Sequence, residues 1–380
     1  MKKFIWLLLL PLLFLSCGRE EQEVEMRMEG GVEVVLNHLE PYRIRGEKSM
    51  MRWEEQSVID LGDPSVSERG LYGLDSFAVN SAGEIFLLQQ RTETDHLYKF
   101  TEDGRFLLSF ARNGQGPGEL SRPTYITVTP EGLIHVCDPA NAKVVLFQSD
   151  GRLEKEITLE ANIPLIHPLE NGLFVLFGRL RPDQEGRFLK YRLELCDQDF
   201  QFLKLLDEFQ IENFRVTGRI QGTQPGFGLA FGGTRIFTAN EGRGYEIWAY
   251  DQEGQLVRKI RRPFEPLPVT EAIKEKALAR TNENARPLLF FPESLPPFRA
   301  LFADEEDRMF ALTFEPAERA GEYMIDIFNP DGVFTGRLSA EMSTSLGTPL
   351  AAIVKGERVY YIREKADGYK QLVVERIVQE

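Results

Sequence analysis

The sequence is poor in the side chains that build metal sites and disulfides. Its 380 residues include four histidines and three cysteines, with no CxxC pair and no HExxH spacing. A structural zinc ion needs several Cys or His ligands that converge, so this composition argues against a zinc-binding module. Apart from Cys17, the cysteines are Cys137 and Cys196, which fall in different repeats. We expect both to be buried free thiols.

Positive charge is also scarce. The chain has 45 Lys and Arg against 59 Asp and Glu, which gives a formal net charge of -14. Nucleic acids and anionic membrane surfaces attract proteins that present a basic face. The acidic composition therefore argues against both as electrostatic partners.

Long apolar runs are few, and the clearest is residues 4–14. This run follows Lys2 and Lys3, is too short to span a membrane comfortably, and precedes the segment LSCG that contains Cys17. The segment resembles a bacterial lipobox, in which the cysteine thiol receives diacylglycerol and the new amine an acyl chain such as palmitate. We predict a signal peptide over residues 1–16 and a lipid anchor at Cys17, which places the protein in the cell envelope outside the cytoplasm. The leaflet stays open, and an ordinary secreted protein with an incidental cysteine is the alternative.

Residues 17–50 are predicted to be an acidic tether and N-terminal segment. Removal of residues 1–16 takes away two lysines and no acid, so the net charge becomes -16. Five glutamates crowd the stretch that follows: Glu20, Glu21, Glu23, Glu25 and Glu29. Such a density of like charge favours a solvated chain that holds the domain off the bilayer.

Residues 51–380 contain a repeated pair of hairpins. The first kind recurs at 97–110, 144–157, 193–206, 247–260 and 325–338. Its turn position is occupied by Gly104, Gly151, Gly254 and Gly332, with Phe200 in the third unit. A positive φ is needed there, and glycine adopts it without steric cost. The second kind lies upstream, at 78–88, 127–137, 168–177, 230–239, 302–312 and 353–362.

The six hairpins of the second kind are the inner hairpins of the repeats, and the five of the first kind are the outer ones. Together they predict an all-β domain, a six-bladed β-propeller of four-stranded antiparallel blades. The sixth unit lacks an outermost strand, while the strand-like residues 53–61 belong to no other unit. An open ring leaves unpaired sheet edges. We therefore predict that residues 53–61 pair antiparallel with residues 371–378 and close the last blade.

Two insertions lie between blades four and five. Residues 267–286 predict one helix with Thr270 as its N-cap and with Val269, Ile273 and Ala277 on one face. Residues 288–298 are interrupted by prolines, which forbid regular structure. Their aromatic residues, Phe290 and Phe291, form either a flap packed on its own blade or an aromatic rim over a binding face.

The second unit carries a family resemblance. Residues 113–151 resemble an NHL-type repeat through a glycine-spaced loop, a following proline, and an Asp, an Asn and a basic residue after the second strand. These residues are Gly114, Gly116, Gly118, Pro123, Asp138, Asn141 and Lys143. The chain after residue 16 resembles bacterial six-bladed β-propeller lipoproteins related to NHL repeats. The resemblance implies the fold, whereas its members include binding scaffolds, lactonases and lyases.

Candidate site residues lie where inner strands are expected to begin. Asp75, His167 and Arg299, together with Phe290 and Phe291, are candidates for the axial channel or a binding face. Propeller hydrolases of the gluconolactonase type bring several carboxylates and amides to one axial metal, but the strand starts here supply a single carboxylate, that of Asp75.

The leading hypothesis is a monomeric, non-catalytic binding module for a protein, peptide or glycan, with no metal, cofactor or catalytic residue. The alternatives are a metal-dependent lactonase- or lyase-like enzyme and a structural component of the envelope.

Overall fold

A computed structural model describes residues 24–43, 51–159, 163–182, 184–223, 226–343 and 352–379. The predicted signal peptide and Cys17 lie outside these residues, so the predictions made for them stay predictions. No helix in the described part of the chain is long and apolar enough to cross a membrane.

The chain forms a six-bladed β-propeller whose blades each contain four antiparallel strands, as predicted. From the axis outward, blade one consists of Ser76–Val79, Ile85–Leu88, Asp95–Phe100 and Phe106–Arg112. Blade two consists of Tyr125–Val128, Ile134–Asp138, Lys143–Phe147 and Leu153–Thr158. Blade three consists of Leu165–Pro168, Phe174–Pro182, Phe188–Cys196 and Phe202–Glu212.

The second half of the ring follows the same order. Blade four consists of Phe227–Phe231, Ile236–Asn240, Glu246–Tyr250 and Leu256–Arg261. Blade five consists of Ala300–Ala303, Met309–Pro316, Tyr323–Phe328 and Phe334–Ala340. Blade six consists of Ala352–Lys355, Arg358–Glu364, Lys370–Gln379 and, as its outer strand, Met51–Asp60.

The ring closes as predicted. Met51–Asp60 pairs antiparallel with Lys370–Gln379, in a register that sets Asp60 opposite Gln371 and Trp53 opposite Ile377. The Trp53 ring also lies 6.3 Å from the ring of Phe302, centroid to centroid, so the closing strand contacts blade five as well as blade six.

The turns of the outer hairpins show why the third unit looks irregular in sequence. The glycines at the shared turn position have φ values between 73° and 86°. Phe200 takes the same left-handed conformation with φ 58°, although it has a side chain. Its ring packs edge-on against Phe174 at 5.0 Å between centroids, and this contact offsets the conformational cost.

The N-terminal segment departs from the prediction of a solvated tether. Strands Glu25–Glu29 and Val32–Leu36 form a hairpin whose second strand pairs parallel with the outer strand Leu256–Arg261. The hairpin therefore extends the four-stranded sheet of blade four to a sheet of six strands. The tether prediction is wrong for residues 25–36, because the apolar residues of Val32–Leu36 cover an otherwise open edge, where Val34 and Val35 are completely buried.

Outside the blades the structure is short and irregular, except for one helix. Glu271–Arg280 is helical, and the Thr270 side chain accepts a hydrogen bond from the backbone N–H of Ile273, as predicted. No residue of this helix is buried, so Ile273 and Ala277 pack only partially. The remaining elements are the helical turns Pro64–Ser67, Phe214–Thr217, Pro139–Asn141, Glu241–Arg243 and Arg286–Leu288, and the strands Ile220–Gln221 and Leu289–Phe290.

The core lies between neighbouring blades and consists of branched and aromatic residues of the middle strands. Cys137 and Cys196 are buried free thiols within it, as expected. Burial raises the pKa of Cys137 to about 12 and that of Cys196 to about 11, which keeps both thiols protonated and inert at neutral pH.

Candidate functional site

The NHL-type residues of blade two fasten its glycine-rich loop. Asp138 is fully buried, and its carboxylate accepts hydrogen bonds from the backbone N–H groups of Ser121 at 2.8 Å and Arg122 at 3.1 Å. Asn141 donates to the same carboxylate at 2.8 Å and to the carbonyl of Gly114 at 3.3 Å. These bonds fix the end of the loop where the inner strand begins.

The other residues of this motif hold the middle of the loop. Lys143 pairs with Glu156 at 2.7 Å and donates to the carbonyl of Gly116 at 3.4 Å, while Gly118 N–H donates to Glu156 at 2.9 Å. A Cβ on Gly114 would collide with the side chain of Glu119, and the nearby Pro123 is buried. The motif therefore accounts for a tight connection between blades.

The sequence-predicted site residues do not form one cluster, although Asp75, His167 and Arg299 adjoin or lie on inner strands. Asp75 precedes the inner strand of blade one, where its carboxylate accepts from the backbone N–H of Gln90 at 2.7 Å. Its other oxygen lies 3.9 Å from the Lys370 ammonium of blade six. Asp75 therefore connects the first and last blades.

His167 is the third residue of the inner strand of blade three, not its first. Its ring stacks on Phe231 of blade four at 3.6 Å between centroids, and its Nδ1 lies 2.8 Å from the Tyr125 hydroxyl of blade two. Burial lowers the pKa of His167 to about 3, so the ring is neutral at physiological pH. His167 packs between blades in this arrangement.

Arg299 immediately precedes the inner strand of blade five. Its guanidinium lies over the Tyr323 ring, 4.2 Å from the centroid, and 5.6 Å from the centroid of Phe314. Burial lowers its pKa below the usual range for arginine. The aromatic contacts hold this side chain against blade five.

Phe290 and Phe291 lie against the connection between blades three and four. Leu289–Phe290 pairs parallel with Ile220–Gln221, which belongs to the connection between blades three and four. The Arg219 guanidinium covers the Phe290 ring at 4.1 Å, and a Cβ on Gly222 would overlap the Phe291 ring. The start of the flap is thus fastened to a neighbouring crossover, while its last residue, Phe298, is fully buried in the core between blades four and five.

A cavity of about 340 Å³ lies between blades four and five, and we call it the Arg262 pocket. Its wall combines three parts of the chain. The N-terminal segment supplies Leu39 and Glu40, and the connection from blade four to blade five supplies Arg262, Phe264, Glu265, Leu267, Pro296 and Pro297. Tyr245 of blade four and Thr313, Phe314, Glu315 and Arg337 of blade five complete it.

A buried carboxylate organises one side of this pocket. Asp326 is fully buried in the third strand of blade five, and the Tyr245 hydroxyl donates to it at 2.6 Å. The guanidinium of Arg262 lies 3.1 Å and that of Arg337 2.7 Å from its oxygens. Burial raises the pKa of Tyr245 well above its ordinary value, so the hydroxyl stays a donor. Asp326 therefore holds the side chains of Tyr245, Arg262 and Arg337 in place from the protein interior.

Glu315 provides the second counter-charge. Arg337 donates to its carboxylate through both terminal nitrogens, with Nη1 to Oε1 at 3.0 Å, and these bonds hold the pKa of Glu315 below its usual range. Arg262 also donates to the carbonyl of Leu39 at 2.9 Å, which ties the N-terminal segment to the pocket. The two guanidinium groups are thus balanced by Asp326 and Glu315.

Sequence reasoning did not find this pocket. The signal was a lone acid in an otherwise apolar strand, Ile325-Asp326-Ile327, because a charge buried there must be paired. Its partners lie 64 residues upstream at Arg262 and 11 residues downstream at Arg337, so no local pattern connects them.

A larger cavity of about 750 Å³ opens on the turns of blades five and six. Glu306, Arg308, Glu357 and Arg376 line it together with small and aliphatic residues, and no aromatic ring of the described chain contributes to its wall. In the same described part, no three His, Cys, Asp or Glu side chains are grouped so that they could hold a metal ion.

Comparison with known proteins agrees with the architecture. Residues 78–219 match a family model described as a 6-bladed beta-propeller. No curated protein matches the sequence. A protein from Bacteroides fragilis that is thought to be exported is 14% identical, with a TM-score of 0.52, 91% of this chain covered and 100% of that one. A member of the DUF4221 family from Bacteroides vulgatus is 12% identical, with a TM-score of 0.54, 88% of this chain covered and 100% of that one. At such identities the likeness concerns the fold.

Proposed function

We propose that this protein is a lipid-tethered binding module that takes a protein, peptide or glycan ligand in the Arg262 pocket. The observation that carries the proposal is the composition of the pocket wall. Half-buried rings of Phe264 and Phe314 stand beside two guanidinium groups and three carboxylates. Ligand sites typically combine aromatic surface with a few polar groups that fix orientation, and about 340 Å³ lies at the small end of their size range.

The polar groups of the pocket are positioned before any ligand arrives. Asp326 holds Arg262, Arg337 and Tyr245 in place, and none of these side chains needs to be ordered on binding. Because binding otherwise costs the conformational freedom of each immobilised side chain, this arrangement favours affinity.

The predicted lipid anchor and the N-terminal segment support the same proposal. A lipid on Cys17 would hold the protein at an envelope membrane, and the N-terminal segment then pairs with blade four before it reaches the pocket at Leu39. A site built partly from the tethering segment suits a module that captures a ligand close to the membrane.

The test is a binding screen with the full-length chain purified in detergent. Peptide and glycan arrays are probed with the wild type, with Phe314→Ala and with Phe202→Ala, a control on the exposed outer strand of blade three. We expect the wild-type signals to disappear with Phe314→Ala and to persist with Phe202→Ala, while thermal melting shows both variants folded. Arrays that are blank, or identical for all three proteins, would overturn the proposed function.

A further inference from the structure

The charges of the Arg262 pocket do not balance. Arg262 and Arg337 are matched by Asp326 beneath the wall and Glu315 on it. Glu40 and Glu265 also line the pocket, and both are exposed. Neither carboxylate has an ion pair or a hydrogen bond to any residue that the structure describes. Among the residues that the structure describes, the pocket therefore presents two carboxylates without a cationic partner.

The aromatic surface next to these carboxylates suits a cation. The Phe314 ring already faces the Arg299 guanidinium at 5.6 Å from its centroid, whereas Phe264 has no cationic side chain over its ring in the described part of the chain. Phe264 is half-buried and precedes Glu265 directly. A cation over an aromatic face gains about 0.5–1 kcal/mol at an exposed site, in addition to its attraction to nearby carboxylates.

A third observation concerns Arg262 itself. Its side chain is 5% exposed, and its Nε has no acceptor among the described residues. Because this nitrogen is closed off from solvent, a ligand in the pocket meets a guanidinium whose charge Asp326 already balances, and not a free donor.

From these observations we infer that the Arg262 pocket accepts a lysine or arginine side chain of a partner polypeptide. The inference rests on the proposed function and names the ligand class. The ligand's cation lies against Phe264, where the carboxylates of Glu40 and Glu265 attract it. The net charge of -14 also attracts basic segments over longer distances.

The inference is tested by titration of the full-length protein in detergent with blocked peptides. The peptides are glycine heptamers that carry lysine, arginine, glutamine or glutamate at the centre. The lysine and arginine peptides are expected to bind, the glutamine peptide more weakly, and the glutamate peptide not at all. Binding of the basic peptides is expected to weaken as salt rises, because the attraction is electrostatic.

A charge-matched pair of variants locates the effect. Glu40→Gln with Glu265→Gln is expected to weaken the lysine peptide about tenfold and to remove most of the salt dependence. Glu170→Gln with Glu253→Gln changes the net charge equally at two exposed turn residues that do not line the pocket, and it is expected to leave binding unchanged.

The outcomes separate the inference from the proposed function. Equal weakening by both double variants, or no binding of the basic peptides, would overturn the inference. A glycan or acidic peptide that depends on Phe314 but not on Glu40 and Glu265 would also overturn it and leave the proposed function standing. Loss of the proposed function itself would show as ligand binding that Phe314→Ala does not change.

Discussion

Tyr245 of blade four donates its hydroxyl to Asp326 of blade five at 2.6 Å, across the boundary between the two blades. Both side chains are almost completely buried. The bond joins an inter-blade contact to the wall of the Arg262 pocket, so the same carboxylate serves the stability of the ring and the shape of the site. Changes at Asp326 are therefore expected to affect both.

Asp326→Asn is expected to destabilise the protein by about 3 kcal/mol, because it keeps the shape of the side chain but leaves Arg262 and Arg337 without their buried counter-charge. Chemical denaturation measures this as a lower midpoint. Asp331→Asn is the control, since that carboxylate is 72% exposed and lies 3.7 Å from its nearest guanidinium. Equal midpoints for the two variants would contradict the role assigned to Asp326.

The stability of the propeller is expected to fall as the pH is lowered from 6.5 to 4.5. His135 is 5% exposed, and burial lowers its pKa from the ordinary 6.5 to about 4. The unfolded chain takes up a proton near pH 6.5, whereas the folded chain resists protonation until about pH 4. The stabilisation from a neutral His135 is therefore complete above pH 6.5 and is lost as the pH falls toward 4.

Free energies of unfolding measured across this window test the effect. The decrease in the free energy of unfolding that we assign to His135 is about 2 kcal/mol between pH 6.5 and 4.5. The pKa of His167 is lowered to about 3, so this residue adds a decrease in the same direction. His135→Leu is expected to make the pH profile less steep but not flat, because His167 still contributes, while replacement of the exposed His38 by Leu is expected to leave its slope unchanged. A His135→Leu profile as steep as that of the wild type would show that this histidine does not carry the effect.

The repeats predicted the fold because each blade is a local unit. Turn glycines such as Gly104 and the alternation of middle strands lie within about 50 residues of one another, and the closing strand followed from the missing fourth strand of blade six. The hairpin at residues 25–36 could not be predicted in this way. Its partner strand begins at Leu256, more than 200 residues later in the chain. The glutamates of the hairpin predict a solvated chain when the sequence is considered alone. In the structure, Arg258 and Arg261 of the partner strand neutralise two of them, Glu33 and Glu29.

The same limit applies to the candidate site. The sequence placed Asp75, His167 and Arg299 at the starts of inner strands. In the structure, Asp75 and Arg299 directly precede such strands, whereas His167 is the third residue of its strand. The sequence could not show which contacts these side chains make. The pocket arises from Tyr245, Arg262 and Asp326, which meet only when blades four and five pack. Inter-blade contacts of this kind have no local sequence signature.

Cys17→Ser is expected to leave the precursor unprocessed and unlabelled by palmitate, because a hydroxyl cannot replace the thiolate that receives the lipid. Metabolic labelling followed by mobility on a denaturing gel measures both effects. Cys137→Ser is the control, since this buried thiol lies in the core of the propeller. Normal labelling of Cys17→Ser would show that the predicted lipid anchor at Cys17 is wrong.

Ile59 connects the closing strand to the core and provides the test of ring closure. It is 2% exposed and lies opposite Leu372, which is fully buried. Ile59→Asp would place an unpaired charge in this core, at a cost of about 4 kcal/mol or more. Once Met51–Asp60 leaves blade six, the strand Lys370–Gln379 becomes an open edge, so we expect both a lower melting temperature and concentration-dependent aggregation.

Gln56→Asp introduces the same charge at an exposed position of the same strand and is expected to change neither the melting temperature nor the aggregation. If Ile59→Asp melted like Gln56→Asp and stayed monomeric, the pairing of these strands would not be what holds the ring closed.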